Sequence, residues 1–367
     1  MGRIVLFGAT GYTGDLTARA LVDRGARPLL AARTESRVRA LAEELGGLDW
    51  AVADVGRPET VRALVERGDV LVSTVGPFSH WGRPALQAAV DGGAHYLDST
   101  GETPFIREVF EVWGPRAEAA GVGLLTAMGY DWVPGNLAGA LALRDGGAYA
   151  VKVAIGYFAS GTMGSDAMSG GTRASAAGVF LEPSFAWRDG RLVTERGAKR
   201  VRAFTVGGKA RQAISAGSSE HFALPRTSAA LREVDVYLGW FGPMSNPLRA
   251  FSAASSVALK VPGVKPGVGA LLARTLKGST GGPDAQARSR SGSIVVAEAQ
   301  DAHGAVLAEV RLEGVNGYDF TAGMLAWGAE TALAGGLQGT GALGPVDGFG
   351  LDALEAGARE AGISRAA

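Results

Sequence analysis

Three glycines, Gly8, Gly11 and Gly14, punctuate the stretch FGATGYTG directly after the apolar run RIVLF at residues 3–7. The segment behind them, LTARALVDRG, has apolar residues at Leu16, Ala20 and Leu21 and ends at Gly25. That order predicts a strand, a tight turn and an amphipathic helix. The turn aims free backbone N–H groups, at the positive end of the helix dipole, toward an anion. Gly8, Thr10, Gly11, Tyr12, Thr13 and Gly14 are therefore candidate contacts of a pyrophosphate. Glycine is 56 of the 367 residues, about twice the ~7% average. The position of the motif between strand and helix thus carries more weight than its spacing.

Other residues able to do chemistry follow in order. Arg33 stands 19 positions after Gly14, in AARTESR, where an NAD-type site places an acid on the ribose hydroxyls. A guanidinium there suits a 2′-phosphate, with Thr34, Ser36 and Arg37 adding donors, so NADP(H) is the expected cofactor. Asp54 and Val55 of ADVG are placed either to touch adenine or to open the next helix. Thr74, Val75, Gly76 and Pro77 of STVGPF bring backbone close to ribose and pyrophosphate. In YLDSTGE, Asp98, Gly101 and Glu102 form the next strand-end turn, with Asp98 and Glu102 the first carboxylates toward a nicotinamide. Glu102 is also read as a helix-start residue favoured by the dipole of the helix behind Thr103-Pro104. Proton donors at that end are Tyr130, Asp131, Asp98, His80 and Tyr318. Tyr130 ranks first, because a phenol can donate to a developing enolate and refill from water. Asp131 is expected to cap the helix opening at Val133-Pro134.

Strands must hold these turns. Apolar runs at Pro28–Ala32, Trp50–Ala53, Val70–Thr74, Ala94–Leu97 and Gly123–Thr126, separated by helical stretches, predict a doubly wound parallel sheet with ligands at its carboxyl ends. The fold class is α/β: an N-terminal Rossmann domain over 1–135, an α+β substrate or oligomerisation domain over 136–320, and C-terminal helices over 321–367 that return to the first domain. VKVAIGYF alternates as a strand does. The small-residue stretch 161–178 reads as a gating loop or a helix from Thr172. Residues 188–211 hold eight Lys and Arg against two acids and read as an exposed hairpin or loop. The apolar clusters of 236–276 either wall a pocket for a long apolar substrate, lie on a membrane or partner surface, or form core helices. Residues 291–314 read as a hairpin joined at Asp301–Gly304, and 321–335 as an amphipathic helix.

Composition narrows the classes. The chain has 36 Lys and Arg against 36 Asp and Glu, yet residues 151–290 hold 19 against 8. That middle either attracts an anionic substrate or carrier, or docks on acidic flanks. No nucleic-acid module accompanies the charge. Zero cysteines exclude disulfides, thiolate metal sites and cysteine nucleophiles. The four histidines lie too far apart for a local zinc motif, so no metal is expected. A strand beginning at residue 3 leaves no room for a signal peptide, and no apolar run reaches the ~18 residues of a membrane span. The expectation is a cytoplasmic protein.

The ordered set GATGYTG, AARTESR, STVGPF with Gly82, YLDSTGE and GYDWVPGN resembles the saccharopine dehydrogenase-like superfamily, including its trans-acting enoyl reductases. NGYDFTA (316–322) and the closing GLDALEAGAREAGI add a weaker echo. The resemblance implies pyridine-nucleotide binding, with the GYDWVPG turn, Gly129 included, beside the nicotinamide. The chain departs from the pattern at LQAAVDGGA, where Ala88 and Ala89 stand in a helix that often carries a cysteine. This weakens a saccharopine-like substrate. None of the seven tyrosines has a lysine four positions on, and no GxSxG occurs, so short-chain dehydrogenase and hydrolase chemistry recede. The leading expectation is an NADPH-dependent enoyl (C=C) reductase of an acyl, lipid or polyketide intermediate, free or carrier-bound, and a homodimer is compatible with it. The alternatives are an opine-type C=N oxidoreductase and a non-catalytic NADP(H) sensor.

Overall fold

In the computed structural model the described residues are 2–161, 183–258 and 281–366. They form two compact units, Met1–Val133 with Val315–Ser364, and Pro134–Gly314 with Arg365–Ala367.

The first unit is built on seven strands. β1 (Ile4–Phe7), β2 (Leu29–Ala32), β3 (Trp50–Val52), β4 (Val70–Ser73), β5 (His95–Asp98) and β6 (Gly123–Leu125) stand in the order 3-2-1-4-5-6. Every pairing among them is parallel, which is the doubly wound order with its switch point between β1 and β4. All four residues of β1, β2 and β4 are buried, as expected of strands covered on both faces. Helix Tyr12–Asp23 buries Gly14, Thr17, Ala18 and Leu21, a single stripe at 3.6-residue spacing. The seventh strand, Gly341–Ala342, extends the sheet beside β6; two small residues give no periodic signal, and the sequence did not announce it.

The chain after residue 315 returns to this unit. Helix Gly317–Leu333 buries Phe320, Met324, Leu325 and Trp327. Arg24, which ends helix Tyr12–Asp23, pairs with Glu330 and Glu360, joining the first helix to two late ones.

The second unit contains a mixed sheet. β7 (Lys152–Gly161) lies at its centre, parallel to β12 (Glu233–Leu238) and antiparallel to β13 (Ser291–Gln300). β8 (Pro183–Arg188) pairs with β9 (Arg191–Arg196), β10 (Val201–Val206) with β11 (Lys209–Ser215), and β13 with β14 (Val306–Gly314), all antiparallel. Phe158, Phe204 and Tyr237 meet edge to face with centroids 5.7 Å apart, the geometry aromatic quadrupoles favour. Helix Val133–Gly146 runs into this unit, where the Gly135 N–H donates to the Tyr157 hydroxyl at 2.8 Å and that hydroxyl donates to buried Glu220 at 2.7 Å.

Two expectations bear on this unit. Residues 188–211 run through the β8–β9 and β10–β11 hairpins, and four of their eight cations are in ion pairs. Arg188 pairs with Glu233 and Asp235, Arg200 with Glu195 and Asp235, Lys199 with Glu195, and Arg202 with Glu298. Glu195, Glu233 and Asp235 belong to the same region, so these pairs leave its basic excess in place, and only Glu298 lies outside it. Within 236–276, helix Ser245–Ala258 leaves Phe251 exposed; Leu271 and Leu272, like the 161–178 stretch beyond Gly161, lie outside the described residues.

Candidate cofactor and active site

The strand-end turns of the first unit assemble one site. After β1, Gly8 has φ +95°, and its N–H and that of Ala9 donate to the Ala31 carbonyl at 2.8 and 3.1 Å. A Cβ on Gly14 would lie 2.1 Å from the Gly8 carbonyl oxygen, so only glycine lets the helix start this close to the turn. Gly11 is the N-cap and makes no side-chain cap bond. The amides of Thr13 and Gly14, in the first turn of the helix, thus offer the N–H groups that an anion needs. Thr10 and Thr13 are half-buried beside them.

After β2, Arg33, Thr34 and Arg37 are exposed, and neither arginine pairs with any described residue. Thr34 is the N-cap of helix Glu35–Glu44, without a side-chain cap bond. After β3, Asp54 does not cap the helix Pro58–Arg62, whose N-cap is Arg57. Its Oδ1 instead accepts from the Gly56 N–H at 2.9 Å, shaping the turn that carries half-buried Val55. After β4, the Thr74 hydroxyl donates to the Phe7 and Gly8 carbonyls at 3.3 and 3.2 Å. Thr74 and Val75 thereby lie against the glycine turn, and Gly76 and the cis Pro77 lead out of it.

Asp98 takes a different part from the one expected. It is 0% exposed, and its carboxylate accepts from the Thr100 N–H at 2.9 Å, the Ala127 N–H at 2.9 Å and the Thr126 hydroxyl at 2.9 Å. Burial raises its pKa to about 6, while those bonds act in the opposite direction. The side chain is consumed in joining the turns after β5 and β6, and it presents no free proton to a ligand. The correction could not be read from YLDSTGE, because Thr126 and Ala127 lie on another strand end.

Asp131 also departs from expectation. It caps nothing: its side chain accepts no hydrogen bond from a described residue, and its Oδ1 is shut off from solvent without a partner. Desolvation lifts its pKa to about 7. Its Oδ2 lies 2.9 Å from where a Cβ on Gly101 would sit, so the turns after β5 and β6 meet at this carboxyl. The neighbouring Tyr130 ring packs on the backbone of Gly317, and its N–H donates to the Thr321 hydroxyl at 3.0 Å. Thr321 also crowds Gly129, where a Cβ would lie 2.8 Å from the threonine methyl. Tyr318 meets Tyr12 of the glycine turn edge to face at 5.1 Å.

The site therefore gathers Gly8 to Gly14, Thr74 to Pro77, Gly101, Gly129, Tyr130 and Asp131, with Arg33, Thr34, Arg37, Asp54 and Val55 on the turns after β2 and β3. Sequence reasoning missed Thr126 and Thr321. Thr321 lies within NGYDFTA, so that echo was the available signal. Among the described residues no cluster of three or more His, Asp or Glu could hold a metal ion, and no helix is long and apolar enough to cross a membrane.

A 3-2-1-4-5-6 sheet with a glycine cradle and an unpaired arginine after β2 is a Rossmann-type dinucleotide-binding unit. Residues 4–124 match the family model of the saccharopine dehydrogenase NADP binding domain. A trans-acting enoyl reductase of Mycobacterium ulcerans is 39% identical over 140 residues, 36% of this chain and 34% of that protein. The match spans about a third of the relative's length. An apo saccharopine dehydrogenase (L-Glu forming) of Saccharomyces cerevisiae shares the fold over 100% of both chains, with TM-score 0.58 and 12% identity. The homospermidine synthase of Legionella pneumophila, solved with NAD, covers 100% of this chain and 91% of its own at TM-score 0.60 and 11% identity.

Proposed function

We propose that the chain is an NADPH-dependent oxidoreductase that reduces the C=C bond of an enoyl group in an acyl, lipid or polyketide intermediate. The similarity of its NADP-binding segment to trans-acting enoyl reductases carries this reading. We assign the unit Pro134–Gly314 to shaping the substrate site and place the reaction in the cytoplasm.

The residues present fit the cofactor. A cradle that a Cβ on Gly14 would fill, uncapped amides at the start of helix Tyr12–Asp23, and unpaired Arg33 and Arg37 suit a pyrophosphate and a 2′-phosphate. NADPH supplies the hydride when bound. What the chain must supply is a proton for the carbon that receives no hydride. Asp131 is the group we place there, ahead of Tyr130. Its carboxyl stays half protonated near pH 7 and has no internal partner to hold its proton, which is the condition of an efficient general acid. Asp98 and Thr126 act behind it by fixing the turn at Ala127.

The test is NADPH consumption against a panel of enoyl thioesters, free enones and cyclic imines. Turnover of the thioesters is expected. Turnover of imines alone would replace this reading with an opine-type oxidoreductase, and tight NADPH binding with silence across the panel would make the protein a sensor.

A further inference from the structure

Glu102 has no part in the chemistry above, yet its carboxylate is the most committed in the site after that of Asp98. It is the N-cap residue of helix Thr103–Glu108 and makes no side-chain bond to that helix. It crosses instead to the loop after β4, where Oε1 accepts from the Phe78 N–H at 2.6 Å and Oε2 from the Ser79 N–H at 2.9 Å. These are the leading amides of the short helix Phe78–Trp81, which follows Gly76-Pro77. Both belong to the orphan donors of a helix start, and both bonds are charge-assisted.

The segment so held is a lip with one packed side. The Phe78 ring lies 5.5 Å from that of Phe105, whereas His80 and Trp81 are exposed. The other end of the bracket is equally fixed. The Glu102 N–H donates to the Thr100 hydroxyl at 3.0 Å, and the Thr100 N–H donates to Asp98, which grips Thr126 and Ala127. The turn 98–102 therefore holds the loops after β4 and β6 from a position between them.

We propose that Glu102 is a positioning residue of the cofactor site: its carboxylate fixes the lip Gly76–Trp81 against the turn 98–102, and removing its charge frees the lip and weakens NADPH binding. The proposal rests on the reading of this crevice as the NADPH site. Both oxygens face N–H donors, so a glutamine must turn its amide NH2 toward one of them. An aspartate keeps the charge but falls one methylene short.

The experiment compares full-length wild type, Glu102→Gln and Glu102→Asp by amide hydrogen exchange without ligand and by NADPH titration. In Glu102→Gln, exchange at Phe78 and Ser79 should speed up ~10- to 100-fold and the NADPH Kd should rise about tenfold, in keeping with the loss of a charge-assisted bond. Glu102→Asp should fall between it and wild type in both, and it carries the test if the glutamine variant does not fold. Unchanged protection at residues 78 and 79 would overturn the proposal, as would lost protection with a Kd within twofold of wild type. If wild type binds NADPH but reduces no enoyl group, the reductase reading falls and the positioning role stands on these two readouts. If wild type does not bind NADPH, the cofactor reading falls and takes the positioning role with it.

Discussion

Two aspartates sit one strand apart in the same site, Asp98 fully buried and Asp131 half-buried with one oxygen shut off from solvent, and their surroundings give them opposite tasks. Asp131 holds its proton because burial disfavours its charge and nothing repays it. With a native pKa of about 7 against the ordinary 3.8 of an aspartate, the native state binds a proton that the unfolded chain has lost across that window. The contribution of this group to stability therefore falls as pH rises from about 4 to about 7. Asp131→Asn cannot ionise, so at pH 8 its Tm should exceed that of wild type by at least ~2 °C while kcat falls ~10²- to 10⁴-fold. Wild-type kcat should itself decline as pH rises through about 7. Asp98 behaves otherwise. Asp98→Ala strands the N–H groups of Thr100 and Ala127 and should cost roughly 2–6 kcal/mol, read as a lower Tm. Asp98→Asn should be tolerated, because one amide oxygen serves both N–H groups and its NH2 can face the Thr126 hydroxyl. Arg33 belongs to this scale as well. It is exposed and unpaired, so Arg33→Asp should leave Tm within a degree or so, raise the NADPH Kd at least ~10-fold and leave that of NADH nearly unchanged. Equal affinity of wild type for the two nucleotides would remove the argument for this arginine.

At the scale of elements, the glycine turn and the helix behind it form one unit of geometry. Gly14→Ala would drive a methyl to within 2.1 Å of the Gly8 carbonyl oxygen, and neither backbone can yield without displacing the turn from Thr74. Its NADPH Kd should rise at least ~10-fold by fluorescence titration, whereas Gly25→Ala, with nothing within 4 Å but φ +88°, should cost only stability. The parallel strands and this turn were legible in the sequence because each rests on local pattern: a β-branched run, a glycine at positive φ, a 3.6-residue stripe. The site was legible only so far as it follows strand ends. The bracket of Asp98 and Glu102 was hidden because its partners, Thr126, Ala127, Phe78 and Ser79, are distant in sequence and most of them engage through backbone N–H groups that leave no mark in residue type. Asp131 looked like a helix cap for the same reason, since a carboxylate before Val133-Pro134 fits a cap pattern until its lack of a partner is seen.

At the scale of the molecule, the middle region holds some cations in internal pairs such as Arg200 with Glu195 and Asp235, but those acids belong to the region itself and its excess of basic side chains stands. Partly buried pairs are screened far less by salt than a free basic surface is. Raising NaCl from about 50 to about 300 mM should therefore raise the KM of a carrier-bound enoyl substrate more than ~3-fold, and a smaller change would remove a charge-steered carrier.

The cofactor unit is also discontinuous along the chain: it takes in residues up to Val133 and resumes only at Val315. Thr321, which receives the Tyr130 N–H, and Tyr318, which meets Tyr12, both lie in the resumed part. On a ribosome adding ~5–20 residues per second, the glycine turn emerges roughly 15–60 s before Tyr318 and Thr321 do. A nascent chain must therefore carry an unfinished nucleotide site through the synthesis of the whole middle unit, and during that interval the cofactor cannot yet act as a template for its own binding domain.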